Sequence, residues 1–519
     1  MPSRDLPARP DLDHLKNEAK ALRRAFVQGD AGALDRVRTV LGDRTSLKLT
    51  EAQRVIAREY GFDSWARLRA RVQAARGIGE AVAAFLAAAE NRDTDRALAV
   101  LRAEPRIATA SIHVAAVLGL DGEVRRHLAE DATRIHARTG SFGGDPMLWL
   151  CYSPFHGENP DRDAALAATM RTLLEAGADP NTRDRQHGVP ALYALTGVNN
   201  APAIARILLD AGANPTDGES VFHAAEKFHV ESLELLLSYG ADLNASGEWG
   251  NTPLYFLLRH WEIATQPRVR QGIQWLLDHG ADPNVRCARE RETSLHAAAR
   301  RGQHPDVVRL LLEHGADPNA VRGDGRTPWS LARRGGHDEI AALLESFGAT
   351  PVALSPADEL LAACGRGDAD QARRLASPER LASLDDEGRQ LLPSAAASGR
   401  THTVIACIAA GFPVDTKDEY GATALHHATI HGHAEVVREL LRRRADFTIR
   451  DNEHDSTPLG WACFGADFVK EPGGDYEEAV RALLEAGARP GPHDRPPEHA
   501  GVRAVLTTSA GQALGSPPM

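Results

Sequence analysis

Ten consecutive residues, Leu310-Leu311-Leu312-Glu313-His314-Gly315-Ala316-Asp317-Pro318-Asn319, constrain this chain more than any other feature, because they recur. Close variants occur as Leu173-Leu174-Glu175-Ala176-Gly177-Ala178-Asp179-Pro180-Asn181, Leu208-Leu209-Asp210-Ala211-Gly212-Ala213-Asn214-Pro215 and Leu276-Leu277-Asp278-His279-Gly280-Ala281-Asp282-Pro283-Asn284. Weaker copies end at Gly240-Ala241-Asp242, Gly348-Ala349-Thr350-Pro351, Arg444-Ala445-Asp446 and Gly487-Ala488-Arg489-Pro490. Self-similarity at a fixed period overrides the length-based count of three or four domains, because stacked repeats share one continuous core.

Each copy has a local physical meaning. The leucines form the buried face of a helix, and the Gly after them takes the left-handed backbone that ends it. The Pro prevents continuation, and the Asp/Asn residues suit a tight turn. A second string lies upstream: Thr252-Pro253-Leu254-Tyr255, Thr293-Ser294-Leu295-His296-Ala297-Ala298, Thr327-Pro328-Trp329-Ser330, Thr423-Ala424-Leu425-His426 and Thr457-Pro458-Leu459. Thr caps a helix there and Pro fits its first turn. Each unit is therefore helix, turn, helix and extended loop. Hydrophobic residues at 43% supply a core, while aromatics at only 5% and scarce β-branched runs favour helices over sheets.

These strings resemble the ankyrin repeat, which pairs T-P-L-H-x-A with a period of 33. The resemblance implies an all-α ankyrin-repeat solenoid of about twelve helix-turn-helix units with hairpin-like loops, preceded by a small helical module. The expected organisation is a flexible N-terminus at 1–10, a helical module at 11–76, the array at 80–490 and a terminal cap helix with a flexible tail at 491–519. Degenerate units fall at 80–130 and 357–414. Insertions interrupt units at 153–163, 261–268 and 467–475.

The front of the chain reads differently. Leu12, Leu15, Ala19, Leu22 and Phe26 form a helical stripe ending at Gly29, and Asp30 opens a second helix. Thr50-Glu51-Ala52-Gln53 predicts a capping box opening a third helix, closed by Gly61, and a fourth is expected from about Ser64 to Ala75, burying Trp65, Leu68 and Val72. This block is similar to a leader found before ankyrin arrays in bacterial proteins. Residues 1–76 hold 16 Lys/Arg against 10 Asp/Glu, in a chain of net charge −11. With Arg54, Arg58, Arg67 and Arg71 on successive helices, a DNA-associated regulator with a helix-turn-helix is an alternative to a plain packing module.

Other classes find little support. No stretch approaches the roughly 20 apolar residues that span a bilayer, and Met1-Pro2-Ser3-Arg4-Asp5 lacks an apolar signal core. The cytoplasm is the expected compartment. Five dispersed cysteines form no C-x-x-C pair, and Cys151, Cys364 and Cys463 occupy small core positions. No P-loop, nucleotide-binding glycine motif, G-x-S-x-G elbow or H-E-x-x-H is present, so no cofactor and no enzymatic activity are expected; an enzyme with a site in an insertion is the remoter alternative. His426, His427, His431 and His433 are dense enough to suggest metal ligands, but the repeat register accounts for His426 and His433 structurally.

A protein-protein interaction scaffold or adaptor, monomeric and using concave face and loop tips, is the function the resemblance implies. In the family, exposed inner positions follow the T-P-L-H-x-A-A string and occupy the loop tip. Carried over, they are Lys227 and Phe228, Arg259 and His260, Arg300 and Arg301, and Arg334, flanked by Arg291, Arg326 and Trp249. Such a basic stripe would receive an acidic protein segment, with Trp249 and Phe228 as apolar anchors. Arginines on ordinary solvated helix faces are the alternative. Tyr420, Ile430 and His431 form the second candidate surface.

Overall fold

The Thr strings act as caps. In a computed structural model, the Thr293 backbone N–H donates to His296 Nδ1 at 3.2 Å and the Thr293 hydroxyl meets the same nitrogen at 2.8 Å, at the start of the helix Ser294–Arg301. Thr423 and His426 repeat this before the helix Ala424–Ile430. The far side of each imidazole, Nε2, donates to the carbonyl of Arg326 or Ser456, both at 3.3 Å and both in the following repeat. One side chain thus starts a helix and tethers its neighbour. Burial penalises the imidazolium and lowers both pKa values to about 4, so these histidines are neutral.

The structure describes residues 4, 11–247, 250–259, 267–287, 291–490 and 497–513, the side chains of 74–76, 259 and 509–513 excepted. Contacts divide it into two units, Met1–Gly247 and Glu248–Met519. Among the described residues the secondary structure is helical, with isolated β-bridges at Thr139–Gly144, Arg183–Pro190 and Lys417–Thr423 where loops fold as fingers. The fold is an ankyrin-repeat solenoid of short inner helices such as Pro328–Arg334 and outer helices such as Asp338–Ser346. The degenerate stretches also form helices: Ile112–Leu118 with Asp121–Glu130, Pro356–Gly365 with Ala369–Leu375, and Leu391–Ala397 with Thr401–Ala409.

The outer helices end as the glycines dictate: Gly177, Gly212, Gly280, Gly315 and Gly348 have φ between 84° and 96°. The Asn of the same motif does more than turn the chain. Asn284 Nδ2 donates to the Gly315 carbonyl at 2.9 Å while its Oδ1 accepts from Asp317 N at 2.8 Å. Asn181 does the same to Gly212 and Asn214, and Asn319 to Gly348 and Thr350. Carbonyls left open at a helix end are thereby satisfied from the preceding repeat.

The N-terminal module buries Leu15, Ala19, Leu22 and Phe26 as its stripe requires. Two boundaries differ from expectation. The third helix, Leu49–Glu59, is capped at Lys48, whose N–H donates to the Glu51 carboxylate at 2.8 Å; the box opens two residues before Thr50 because Glu51 reaches back. The fourth helix does not stop near Ala75 but runs from Trp65 to Glu90. Leu68 and Val72 at one end serve the N-terminal core, while Phe85, Leu86, Ala88 and Ala89 serve the next cluster. Gly77 and Gly79 are tolerated inside it, each costing about 1 kcal/mol against Ala. By length and composition alone this 26-residue helix could cross a membrane, which corrects the reading that no stretch comes close. Of the insertions, 153–163 is structural: Phe155 is fully buried and Ser153 Oγ donates to the Val117 carbonyl at 2.7 Å. Residues 261–266 of the second insertion lie outside the described residues.

Gly315 has no atom within 4 Å of where a Cβ would stand, so Gly315→Val should cost about 2 kcal/mol through backbone strain alone. Arg444 holds the equivalent left-handed position at φ 64°, and Arg444→Gly should stabilise by up to about 1 kcal/mol. Denaturation midpoints check both; opposite signs would contradict the assigned register. His296 and His426 bind a proton near pH 6.5 when unfolded and near 4 when folded, so their contribution is complete above 6.5 and is lost as pH falls toward 4. The melting temperature should drop over that window, and replacing both by Gln should flatten the drop; an unchanged slope would contradict the assignment.

Candidate functional site

Arg300 lies in the last turn of the helix Ser294–Arg301, Arg322 and Arg326 on the loop that precedes the helix Pro328–Arg334, and Arg334 at the end of that helix. Repeat geometry stacks these positions within the second unit. They do not face open solvent. Two short helices, Pro378–Ala382 and Asp386–Arg389, carry Asp385 and Glu387 onto them. Arg334 Nη1 donates to Asp385 Oδ2 at 2.9 Å and its Nε lies 3.3 Å from Asp358. Arg326 pairs with Asp385 at 2.8 Å and with Asp324 at 2.6 Å. Glu387 meets Arg322 at 2.7 Å and Arg300 at 3.1 Å.

Glu292, 2% exposed, is the buried centre. It accepts from Arg300 Nη2 at 3.1 Å, Arg322 Nη1 at 2.5 Å and the Tyr255 hydroxyl at 2.8 Å. Burial alone would raise its pKa, but Arg300, Tyr255 and Arg322 overcome that and hold it at about 2. Burial works likewise against Asp324 and Asp385, and their arginine partners push both well below the carboxylate range. Four arginines are met by five carboxylates, Glu292, Asp324, Asp358, Asp385 and Glu387.

This corrects the expectation of an open basic stripe. Arg334 is 6% exposed, and Arg300 and Arg326 are half-buried in ion pairs. The acidic segment expected of a partner is supplied by the chain's own residues 385–387. Asp385-Asp386-Glu387, in the most degenerate unit, was the readable signal. Arg291 and Arg301 are exposed, as is Lys227, and Phe228 is half-buried at φ 54°. Lys227 and Phe228 belong to the first unit, the other candidates to the second. Trp249, His260 and the Arg259 side chain lie outside the described residues.

The second candidate surface is also corrected in part. Tyr420 is 54% exposed, but Ile430 is half-buried and His431 is buried at 7%. The insertion 467–475 covers them: Asp475 N donates to the Gly432 carbonyl at 2.8 Å, the Tyr476 hydroxyl donates to the Ile430 carbonyl at 3.2 Å, and Glu471 stands 3.7 Å from His431. That insertion instead exposes Phe468, and Phe464 just before it, with ring centroids 4.8 Å apart. The four dense histidines serve separate partners: Thr423 for His426, Asp418 for His427, Glu471 for His431 and the Ala397 carbonyl for His433. All five cysteines are buried. In the N-terminal module Asp63 pairs with Arg58 at 2.7 Å and Arg67 at 3.0 Å, spending half of the four arginines noted there.

Helix pairs stacked by neighbour-to-neighbour tethers, with finger loops and a charged inner network, define a repeat protein built for surface contact. Family models described as "Ankyrin repeats (3 copies)" match residues 261–353, 360–451 and 394–494, and "Ankyrin repeats (many copies)" matches 221–260. The chain belongs to the ankyrin-repeat family. It is similar to the E3 ubiquitin-protein ligase KEG of Arabidopsis thaliana, 31% identical over 21% of this chain and 7% of that protein. It is also similar to ankyrin repeat and SAM domain-containing protein 6 of Rattus norvegicus, 39% identical over 19% of this chain and 11% of that protein, and to SH3 and multiple ankyrin repeat domains protein 2 of Homo sapiens, 37% identical over 17% and 5%. The chain thus spans a small part of these relatives. The solved human ASB11 ankyrin repeat domain covers 46% of this chain and 99% of its own at 22% identity, with a TM-score of 0.35.

Removing the central carboxylate by Glu292→Gln leaves Arg300 and Arg322 short of a buried partner and should cost about 3 kcal/mol. Asp386→Asn, at a fully exposed side chain, should change nothing measurable. Chemical denaturation checks the contrast; equal effects would show that burial of the network carries no energy.

Proposed function

We propose that this chain is a scaffold or adaptor that binds another protein through its repeats, acting as a monomer in the cytoplasm and catalysing no reaction of its own. One observation carries the reading: among the described residues the exposed large aromatic side chains are Tyr420, Phe464 and Phe468, each more than half exposed and all in the C-terminal repeats. Phe464 and Phe468 sit at a π-helical turn, Gly465–Val469, that exceeds the ordinary repeat before the helix Tyr476–Glu485. Aromatics held in rigid backbone lose little entropy on burial and act as anchors in protein interfaces. Because the inner arginines already hold acids of this chain, a partner presenting apolar anchors is favoured over one presenting an acidic segment. The ligase named among the relatives is matched over only 7% of its length, and that similarity carries no reaction to this chain.

The test compares the full chain with its Phe464→Ala, Phe468→Ala double variant, each immobilised in cell lysate, with bound proteins quantified by mass spectrometry. A defined set should fall by at least about tenfold in the variant, with the circular-dichroism melt unchanged. The same set in the same amounts on both would overturn the proposal.

A further inference from the structure

A crevice of about 90 Å³ lies beside the arginine network, between the inner helices of successive repeats in the second unit. Four arginines line it, Arg300, Arg301, Arg334 and Arg400, against one carboxylate, Glu387. Three of these five groups are already committed. Arg300 holds Glu292 and Glu387, Arg334 holds Asp385 and Asp358, and Glu387 is shared between Arg300 and Arg322. Arg301 and Arg400 are different: no ion pair or side-chain hydrogen bond to either is found among the described residues. Glu435 borders a second groove that Arg400 also lines, and no ion pair between the two is found among the described residues.

The two guanidiniums therefore leave two positive charges unmet in one concave place. Solvent reaches Arg301, yet the crevice walls strip part of its hydration, and the neighbouring Arg300 adds repulsion; its pKa is lowered to about 10. Burial also lowers that of Arg400. Both remain charged near neutral pH. His337, which also lines the crevice, is held neutral by burial at about 4 and contributes no charge. Partly desolvated charges are kept where something compensates them, and among the described residues no carboxylate other than Glu387 lines the crevice.

We infer that this crevice binds a phosphate monoester group between Arg301 and Arg400. Two unmet charges match a dianion, where a carboxylate would answer only one. Tetrahedral oxyanions present several acceptor oxygens to guanidinium forks, and a crevice of about 90 Å³ has room for one such group. The phosphate could belong to a small phosphorylated molecule or to a phosphoserine of another protein. The inference does not rest on the scaffold reading, since an anion site needs no protein partner.

Isothermal titration of the full chain at low salt, with inorganic phosphate, O-phosphoserine, a serine-phosphorylated peptide and acetate as separate probes, tests it. Phosphate and O-phosphoserine should bind saturably and at least about tenfold more tightly than acetate. The Arg301→Gln, Arg400→Gln double variant should lose that binding with its melt unchanged, and Arg301→Lys, Arg400→Lys should retain part of it. A phosphopeptide tighter than O-phosphoserine assigns the group to a protein; equal affinities assign it to a small molecule. Absence of saturable phosphate binding to the wild-type chain, acetate binding equally well, or phosphate binding undiminished in the folded Gln variant would each overturn the inference. Should the Gln variant fail to fold, the wild-type comparison of phosphate with acetate still decides.

Discussion

Each repeat leaves polar backbone groups open at its helix ends, and those groups are satisfied across the repeat boundary. Asn284 closes the Gly315 carbonyl of the next unit, and His296 reaches the Arg326 carbonyl of the next loop. An unpaired buried carbonyl costs about as much as a lost hydrogen bond, so no unit is complete alone. That dependence explains why the motif keeps Asn after Asp-Pro and His after Thr-x-Leu: both side chains serve two repeats at once. It also confines a disturbance to neighbours, because every tether spans one repeat spacing.

Charge follows a longer rule in the second unit. The chain from Ser377 to Arg389 folds back to bring Asp385 and Glu387 to arginines 51 to 87 residues upstream. Burying several ions together is costly unless each finds close partners. Here each inner arginine of the network finds at least two, whereas Arg301 and Arg400 find none among the described residues. Arginines that composition presents as a basic face are thus mostly held by acids of the same chain.

Much of the architecture was legible because it is local. Leucine spacing, the helix-ending glycines and the Thr caps each act within about one helical turn, and the degenerate units near Ile112 and Leu391 kept enough periodicity to be seen as helices. What escaped was non-local. Whether Arg334 faces solvent depends on Asp385, and whether His431 is open depends on the insertion that places Glu471 and Tyr476 beside it. The helix Trp65–Glu90 runs past the end expected near Ala75 because packing at both of its ends keeps it continuous through Gly77 and Gly79. The exposed pair Phe464 and Phe468 was missed for a related reason: a helix position reads as core until an unusual turn rotates it outward.

The account turns on the chain's own acidic turn gripping the arginines of its inner face, and a double-mutant cycle between Arg334 and Asp385 measures that grip. Stabilities of the wild type, Arg334→Ala, Asp385→Ala and the double variant, obtained by chemical denaturation, should give a coupling energy of about 1 kcal/mol or more. Additivity within about 0.3 kcal/mol would contradict the account, since the two side chains would then not sense each other in solution.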